Sequence, residues 1–245
     1  MAPRLVDFAG LPEKGRILDV GSGTGALAFA VGERHGQARI VGIDPSSQYV
    51  SYAGSRNPFG DRVTFEVGDA QQLHFADSSF DAAASLLVFN FIPDPAKALR
   101  EVRRVTKPGG VISAAVWDYG KGMQMLRIFW DAAIAVNPAA GKLDEKNMPL
   151  CRAGELSALW RQQRLQDIRE QPIDVIMTFT SFADYWEPFL LGQGPAGAYA
   201  HGLSRDALEA LRGHIKNRLA ASSESAAIHL QARVWCVRGS VPTPA

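Results

Sequence analysis

The segment ILDVGSGTG, Ile17–Gly25, restricts the fold more than any other part of the chain. A short apolar run ends in an acid, Asp19, and then in glycines at alternate positions, Gly21, Gly23 and Gly25. Glycine enters left-handed backbone conformations freely and lets a ligand approach the main chain. An apolar strand (Ile17–Val20), this turn, and a helix (Gly25–Arg34, with Leu27, Ala28, Val31 and Gly32 on its packing face) open a nucleotide-binding βαβ unit. The spacing also satisfies the loose pattern GxGxxA, so the glycines alone leave nicotinamide and flavin cofactors open.

The alternation repeats downstream. Further strands are expected at Arg39–Ile43, Val63–Val67, Phe80–Val88 and Val111–Trp117. Helices are expected at Ser46–Arg56 and, from an Asp94 cap, through Ala98, Leu99, Val102 and Val105. Lys107-Pro108-Gly109-Gly110 reads as a turn. Strand–helix–strand repetition implies right-handed crossovers and a parallel sheet, and strands apolar on both faces suit one covered on both sides.

The second half changes character. A helix over Met123–Val136 precedes a polar stretch, Asn137–Pro149, and a helix over Glu155–Arg164. A strand at Ile168–Thr180 leads into an aromatic-rich segment, Phe182–Leu191, and a loop, Gly192–Gly202. Ser204 caps a helix reaching Leu219, Ala227–Val237 is a last strand, and the tail from Gly239 to Ala245 is expected to be loose. The expected class is α/β: a Rossmann-like, doubly wound seven-strand mixed sheet with helices on both faces. Its last strand is antiparallel, and a helical lid is inserted after the fifth strand. The expected divisions are a nucleoside-binding core at 1–118, a lid and substrate region with the sixth strand at 119–202, and a C-terminal helix and strand at 203–245.

Of 245 residues, 47% are hydrophobic, enough for a sizeable core. Basic and acidic side chains number 26 and 25, leaving a formal charge of +1 and no long-range pull toward nucleic acid or anionic membrane. Cys151 and Cys236 fit no metal spacing and no CxxC pattern, so they read as reduced thiols of a cytoplasmic protein without a metal site. The first residues carry acids and an early proline, unlike a signal peptide, and no apolar run reaches the ~20 residues a membrane span needs.

The acids choose among nucleotides. A dinucleotide seats its pyrophosphate over the helix N-terminus, where Asp19 would repel it. S-adenosylmethionine has no phosphate; its ammonium and sulfonium are cationic, and an acid there attracts them. Asp44 and Asp69 follow Asp19 at successive intervals of 25 residues, each ending a later strand. Singly, a strand-end Asp is a turn or helix cap; three in register converge on the crevice at the switch point of a doubly wound sheet. Asp44 can accept from both ribose hydroxyls, and Ser46-Ser47 supply no arginine for a 2′-phosphate. Asp69 can accept from the adenine amine, with the Ala70 amide on the neighbouring ring nitrogen.

With these residues in place, Ile17–Trp117 resembles the class I S-adenosylmethionine-dependent methyltransferases, and within them the branch that includes ubiquinone- and menaquinone-biosynthesis enzymes. ILDVGSGTG resembles the glycine motif, VGIDPS the ribose motif, VGDAQQLHFADSSFD the adenine motif, and SLLVFNFIPDPAKALREVRRVTKPGG the segment around the fourth strand and the next helix. The resemblance implies that Asp19, Gly21, Ser22, Gly23 and Thr24 hold the methionine part and Asp44 and Pro45 the ribose. It implies Asp69 and Ala70 for adenine, and the Leu86 backbone beside the methyl donor. Two features depart from the family: Asn90 stands where relatives often carry histidine, and only about 16 residues precede the first strand.

Methyl transfer from a sulfonium needs alignment more than acid–base chemistry, and no catalytic motif stands out. His35 and His214 read as solvated on helices, His74 as a surface residue and His229 as facing either way; His201 is the one histidine worth testing as a base. The acceptor is expected to be small and apolar or aromatic, met by Asn90, Trp117, Met123, Trp130, Tyr185 and Trp186. The alternatives are a nicotinamide-dependent oxidoreductase and a protein that binds S-adenosylmethionine without turnover.

Overall fold

In the computed structural model, residues 1–192, 194–219 and 227–243 are described. The strands are β1 (Lys14–Val20), β2 (Gln37–Asp44), β3 (Val63–Val67), β4 (Phe80–Leu86), β5 (Thr106–Trp117), β6 (Gln166–Phe179) and β7 (Ile228–Ser240). They form one sheet in the order β3-β2-β1-β4-β5-β7-β6. Between and after them run α1 (Ala2–Ala9), α2 (Ala26–Arg34), α3 (Ser47–Ser55), α4 (Pro95–Val105), α5 (Gln124–Val136), α6 (Glu155–Gln162), α7 (Phe182–Leu190), α8 (Gly194–His201) and α9 (Arg205–Arg218).

The chain winds outward from β1 to β3, returns to pair β4 with β1, and winds the other way to β5; all these pairings are parallel. Right-handed crossovers then put α2 and α3 on one face and α4 on the other. The reversal between β1 and β4 opens a crevice at the strands' carboxyl ends. As the chain advances from Gly109 to Asp118, its backbone partners retreat from Val241 to Arg233, so β7 runs antiparallel.

Two compact units result, one of Met1–Val116, Ala153–Ile173 and Trp235–Ala245, the other of Trp117–Arg152 and Asp174–Val234. These boundaries differ from divisions at 118 and 202. The first unit takes back α6 because Trp160, fully buried, donates its indole N–H to the Ile112 carbonyl (3.1 Å) and packs edge-on against Phe89. The second keeps α9 because Leu211 and Ile215 share a buried cluster with Phe129 and Phe182.

Four expectations are corrected. The stretch expected as the loop Gly192–Gly202 holds α8, with Gln193 outside the described residues. Its small residues serve close packing: Ala196, Gly197 and Ala200 are buried, and a Cβ on Gly197 would lie 3.0 Å from the Gly192 backbone. Lys107–Gly110 is strand, not turn; Gly110 is there because a Cβ would meet the Asp81 carbonyl at 2.7 Å, and a register shift between Phe80 and Ala82 absorbs the irregularity. Gly239 and Ser240 end β7 rather than a loose tail, and Val241 exchanges backbone bonds with Gly109 and Gly110; residues 244–245 lie outside the described ones. His35 is buried at the C-terminus of α2, its Nδ1 3.5 Å from the Glu13 carboxylate, instead of solvated.

The sequence reading passed over α1. Its Leu5, Val6 and Ala9 form a buried stripe, and it packs on α2. Among the described residues, no helix is long and apolar enough to cross a membrane.

The loop between β3 and β4 is fixed from α4. Arg104 donates to the Leu73 and Phe75 carbonyls (2.8 Å each) and to Glu101, whose Oε2 accepts the Leu73 N–H at 3.0 Å. Its bond to Asp77 is exposed and adds little. Arg104→Met strands two carbonyls and one carboxylate, and is expected to lower stability by at least about 2 kcal/mol in urea unfolding.

Candidate functional site

β1 carries Asp19 to the switch point. The residue is 2% exposed. Its Oδ2 accepts the Ala28 N–H at 3.0 Å, from the first turn of α2, while Oδ1 is buried with no hydrogen-bond partner among the described residues. Burial pushes this carboxyl up to about 7; the Ala28 bond opposes the rise and the Asp44 charge adds to it. A buried polar group left unmet costs about 1–3 kcal/mol.

β2 holds the glycine turn. The Gly21 and Ser22 N–H groups both donate to the Ile43 carbonyl at 2.8 Å. Gly23 N–H donates to Asp44 Oδ2 at 3.0 Å, and Ser46 N–H to Asp44 Oδ1 at 2.9 Å. Asp44 thus links the turn to the N-cap of α3, where the Ser46 hydroxyl accepts the Tyr49 N–H. Gly23 has φ 51°, and an added Cβ would meet nothing within 4 Å, so the turn faces open space there. At Gly21, with φ 72°, a Cβ would strike Val88 at 2.5 Å.

A cavity of about 460 Å³ lies at these strand ends, within the range of small-molecule sites. Of the residues expected to hold the cofactor, Gly21, Asp44, Pro45, Asp69 and Ala70 line it; Asp19, Ser22, Gly23, Thr24 and Leu86 are outside its lining. Tyr49 and Gln71 line it too and were missed. Tyr49 is 46% exposed although large and apolar, as is Phe91 at 50%, on the segment after β4. An exposed ring at a cavity edge is the signal that only burial reveals. Just past β4, Leu87 has φ 65° and donates its N–H to the Ala115 carbonyl at 2.8 Å. Left-handed backbone at a leucine costs about 1–3 kcal/mol and persists only where the surrounding structure holds it.

The expected acceptor residues are distributed differently. Asn90 lies in the first unit, 4% exposed, in a single 3-10 turn after β4. Trp117, Met123, Trp130, Tyr185 and Trp186 all belong to the second unit's aromatic interior. Trp130 and Tyr185 are fully buried, and their polar atoms are engaged. The Trp130 indole N–H donates to Glu145 Oε2 at 2.7 Å, and the Tyr185 hydroxyl to the Met125 carbonyl at 2.9 Å. Burial raises the Tyr185 phenol above its usual range. Trp186 stacks on Phe182. His201 and His214 are exposed, His74 pairs with Glu66 at 2.9 Å, and His229 faces the Thr178 hydroxyl at 3.1 Å. Among the described residues, no group of three or more His, Cys, Asp or Glu could hold a metal ion.

Comparison with known proteins falls on the same segment. Residues 18–114 match the family described as "Methyltransferase domain". The chain is 36% identical over 119 residues to the ubiquinone/menaquinone biosynthesis C-methyltransferase UbiE of Bdellovibrio bacteriovorus, covering 48% of this chain and 50% of that protein. It is 34% identical over 124 residues to a 2-methyl-6-phytyl-1,4-hydroquinone methyltransferase of Synechocystis, covering 51% of this chain and 39% of that one. The matches thus span half or less of these curated relatives. In fold, the chain is similar to the Bacillus YcgJ protein, with a TM-score of 0.66 at 18% identity, covering 99% and 98% of the two chains.

Asp19 also writes a pH dependence into stability. Its folded value, about 7, lies above the ordinary 3.8. Between those values the folded chain keeps a proton the unfolded chain has lost, so stability falls as pH rises through that window and is level above it. Asp19→Asn removes this slope. The variant's stability relative to the parent is expected to climb from about pH 4 to pH 7, read by urea midpoints across pH; parallel curves would contradict it.

Proposed function

We propose, from the premise that residues 18–114 form a class I S-adenosylmethionine-dependent methyltransferase domain, that the chain methylates a small apolar or aromatic acceptor. The observation that carries this is the unmet Asp19 Oδ1 at the head of a glycine turn. That atom fits a cationic amino-acid head and repels a diphosphate. S-adenosylmethionine supplies a methyl group already activated on a sulfonium.

The chain's own residues bind and orient. Asp19 would take the ammonium, and the turn around Gly23 leaves room for the amino-acid part. Each Asp44 oxygen accepts one backbone N–H and keeps a lone pair for a ribose hydroxyl. Asp69 and the Ala70 amide would read the adenine edge. The strained Leu87, pinned by Ala115, fixes the backbone at the end of β4. Such alignment can supply roughly 7–11 kcal/mol of barrier lowering without an acid or base, in keeping with the lack of a histidine in the cavity lining.

For the acceptor, a quinol or a similar phenolic ring is the reading supported by the quinone and hydroquinone methyltransferases among the relatives. The near-zero net charge supports a small molecule over a nucleic acid. Asn90, Trp117, Met123 and Trp186 are the residues to vary first. We place the protein in the cytoplasm on the cysteine usage alone.

Calorimetric titration is expected to give binding of S-adenosylhomocysteine and none of NADH; the reverse preference would overturn the assignment. Because the proton on Asp19 competes with the cationic ligand, affinity is expected to fall as pH drops below about 7 and to level above it. Asp19→Asn should weaken binding at least ~10-fold and flatten that profile. Incubation with labelled methyl donor and a panel of quinols, phenols and amines is expected to label a phenolic member. No transfer to any member, with binding intact, would favour a binding protein without turnover.

A further inference from the structure

The adenine-edge acid is held by a side chain with a second attachment. Asp69 is exposed, and free rotation would blur its direction. Gln71 prevents this. Its backbone N–H donates to Asp69 Oδ1 at 2.8 Å, and its side-chain Nε2 reaches Oδ1 and Oδ2 at 3.2 and 3.3 Å. The other end of the same amide, Oε1, accepts the Asp94 backbone N–H at 3.0 Å. Asp94 is the N-cap of α4, its carboxylate bonded to the Lys97 N–H.

Both ends of the amide are assigned by chemistry. A carboxylate only accepts and a backbone N–H only donates, so nitrogen must face Asp69 and oxygen Asp94. Of the residues of this length, only glutamine can donate at one end and accept at the other. Glutamate would set a second charge against Asp69, and methionine would do neither. Gln71 itself lines the 460 Å³ cavity. The Gln71 backbone and side chain both bond Oδ1, while Oδ2 takes one long bond and keeps a lone pair for a further donor.

We propose that Gln71 is a specificity-determining positioning residue: anchored on the N-cap of α4, it aims the Asp69 carboxylate at a base with an exocyclic amine. This rests on the S-adenosylmethionine reading and goes beyond it, because it names what makes the site select adenine over a 6-oxo purine. A 6-oxo base presents a carbonyl to the carboxylate and is rejected only if that carboxylate is held in place.

The test is a cycle of two ligands against variants at one position. S-adenosylhomocysteine and its hypoxanthine counterpart, S-inosylhomocysteine, are titrated into the parent, Gln71→Met and Gln71→Glu, with thermal melts to establish folding. The parent is expected to prefer the adenine ligand by roughly 10- to 100-fold, the worth of a hydrogen bond to a charged group. In Gln71→Met the preference is expected to shrink at least ~5-fold, mainly through weaker adenine binding. Gln71→Glu, which keeps the size, is expected to shrink it likewise and covers the case in which the methionine variant does not fold. If both ligands weaken equally and the preference persists in a folded variant, Gln71 is a structural brace and the proposal fails. If the parent binds neither ligand, the S-adenosylmethionine reading fails instead, and the proposal with it.

Discussion

A carboxyl group shut away from water with one oxygen unmatched is the constraint on which the site depends. Asp19 is buried because β1 is a central strand, covered on both sides of the sheet. One oxygen is spent on the first turn of α2, so the strand, the glycine turn and the helix share a single anchor. The other has no partner among the described residues, and its ionisation is resisted by burial and by the neighbouring Asp44 charge. A protein selected only for stability would place an amide or an apolar residue there. In the function proposed above a cation would complete the carboxyl, and stability and binding would then pull on the same atom in opposite directions.

The rest of the cavity follows from how neighbouring strand ends hold one another. The Ile43 carbonyl takes two N–H groups of the glycine turn, and Asp44 takes a third and the N-cap of α3. Gly21, Ser22 and Gly23 cannot move without breaking bonds to β2. On the other side of the cavity, α4 is the brace: Arg104 and Glu101 fix the loop after Asp69, and Gln71 ties Asp69 to the helix start. Asp19 lies in β1, Asp44 ends β2 and Asp69 follows β3, and each carboxylate is held by at least one backbone N–H.

The fold and part of the lining of the strand-end cavity were legible because both are written in local signals. Glycines at fixed offsets, acids at a period of one βα unit, and apolar strands between helical stripes each have a direct conformational meaning. Which aromatic residues are free to meet an acceptor was not, for a physical reason. Trp130, Tyr185 and Trp186 carry the same signature whether they line a cavity or fill a core, and the sequence does not report whether an indole N–H already has a partner. Small residues misled in the same way. In Gly192–Gly202 and Lys107–Gly110 they mark close packing of a helix and a strand, not breaks in the chain.

By itself the sequence determined the alternation of strands and helices from β1 to β5, the parallel sheet they form, and the sign of charge at the first turn, because these depend on residues near one another in the chain. Only the tertiary structure decided that Asp19 keeps one oxygen unmet, that Gln71 reaches from Asp69 to the cap of α4, and that α6 and α9 belong to different units. Each of these depends on which groups from distant segments are brought within hydrogen-bonding or packing distance. No local preference encodes that, since burial and partnership are properties of the folded chain as a whole.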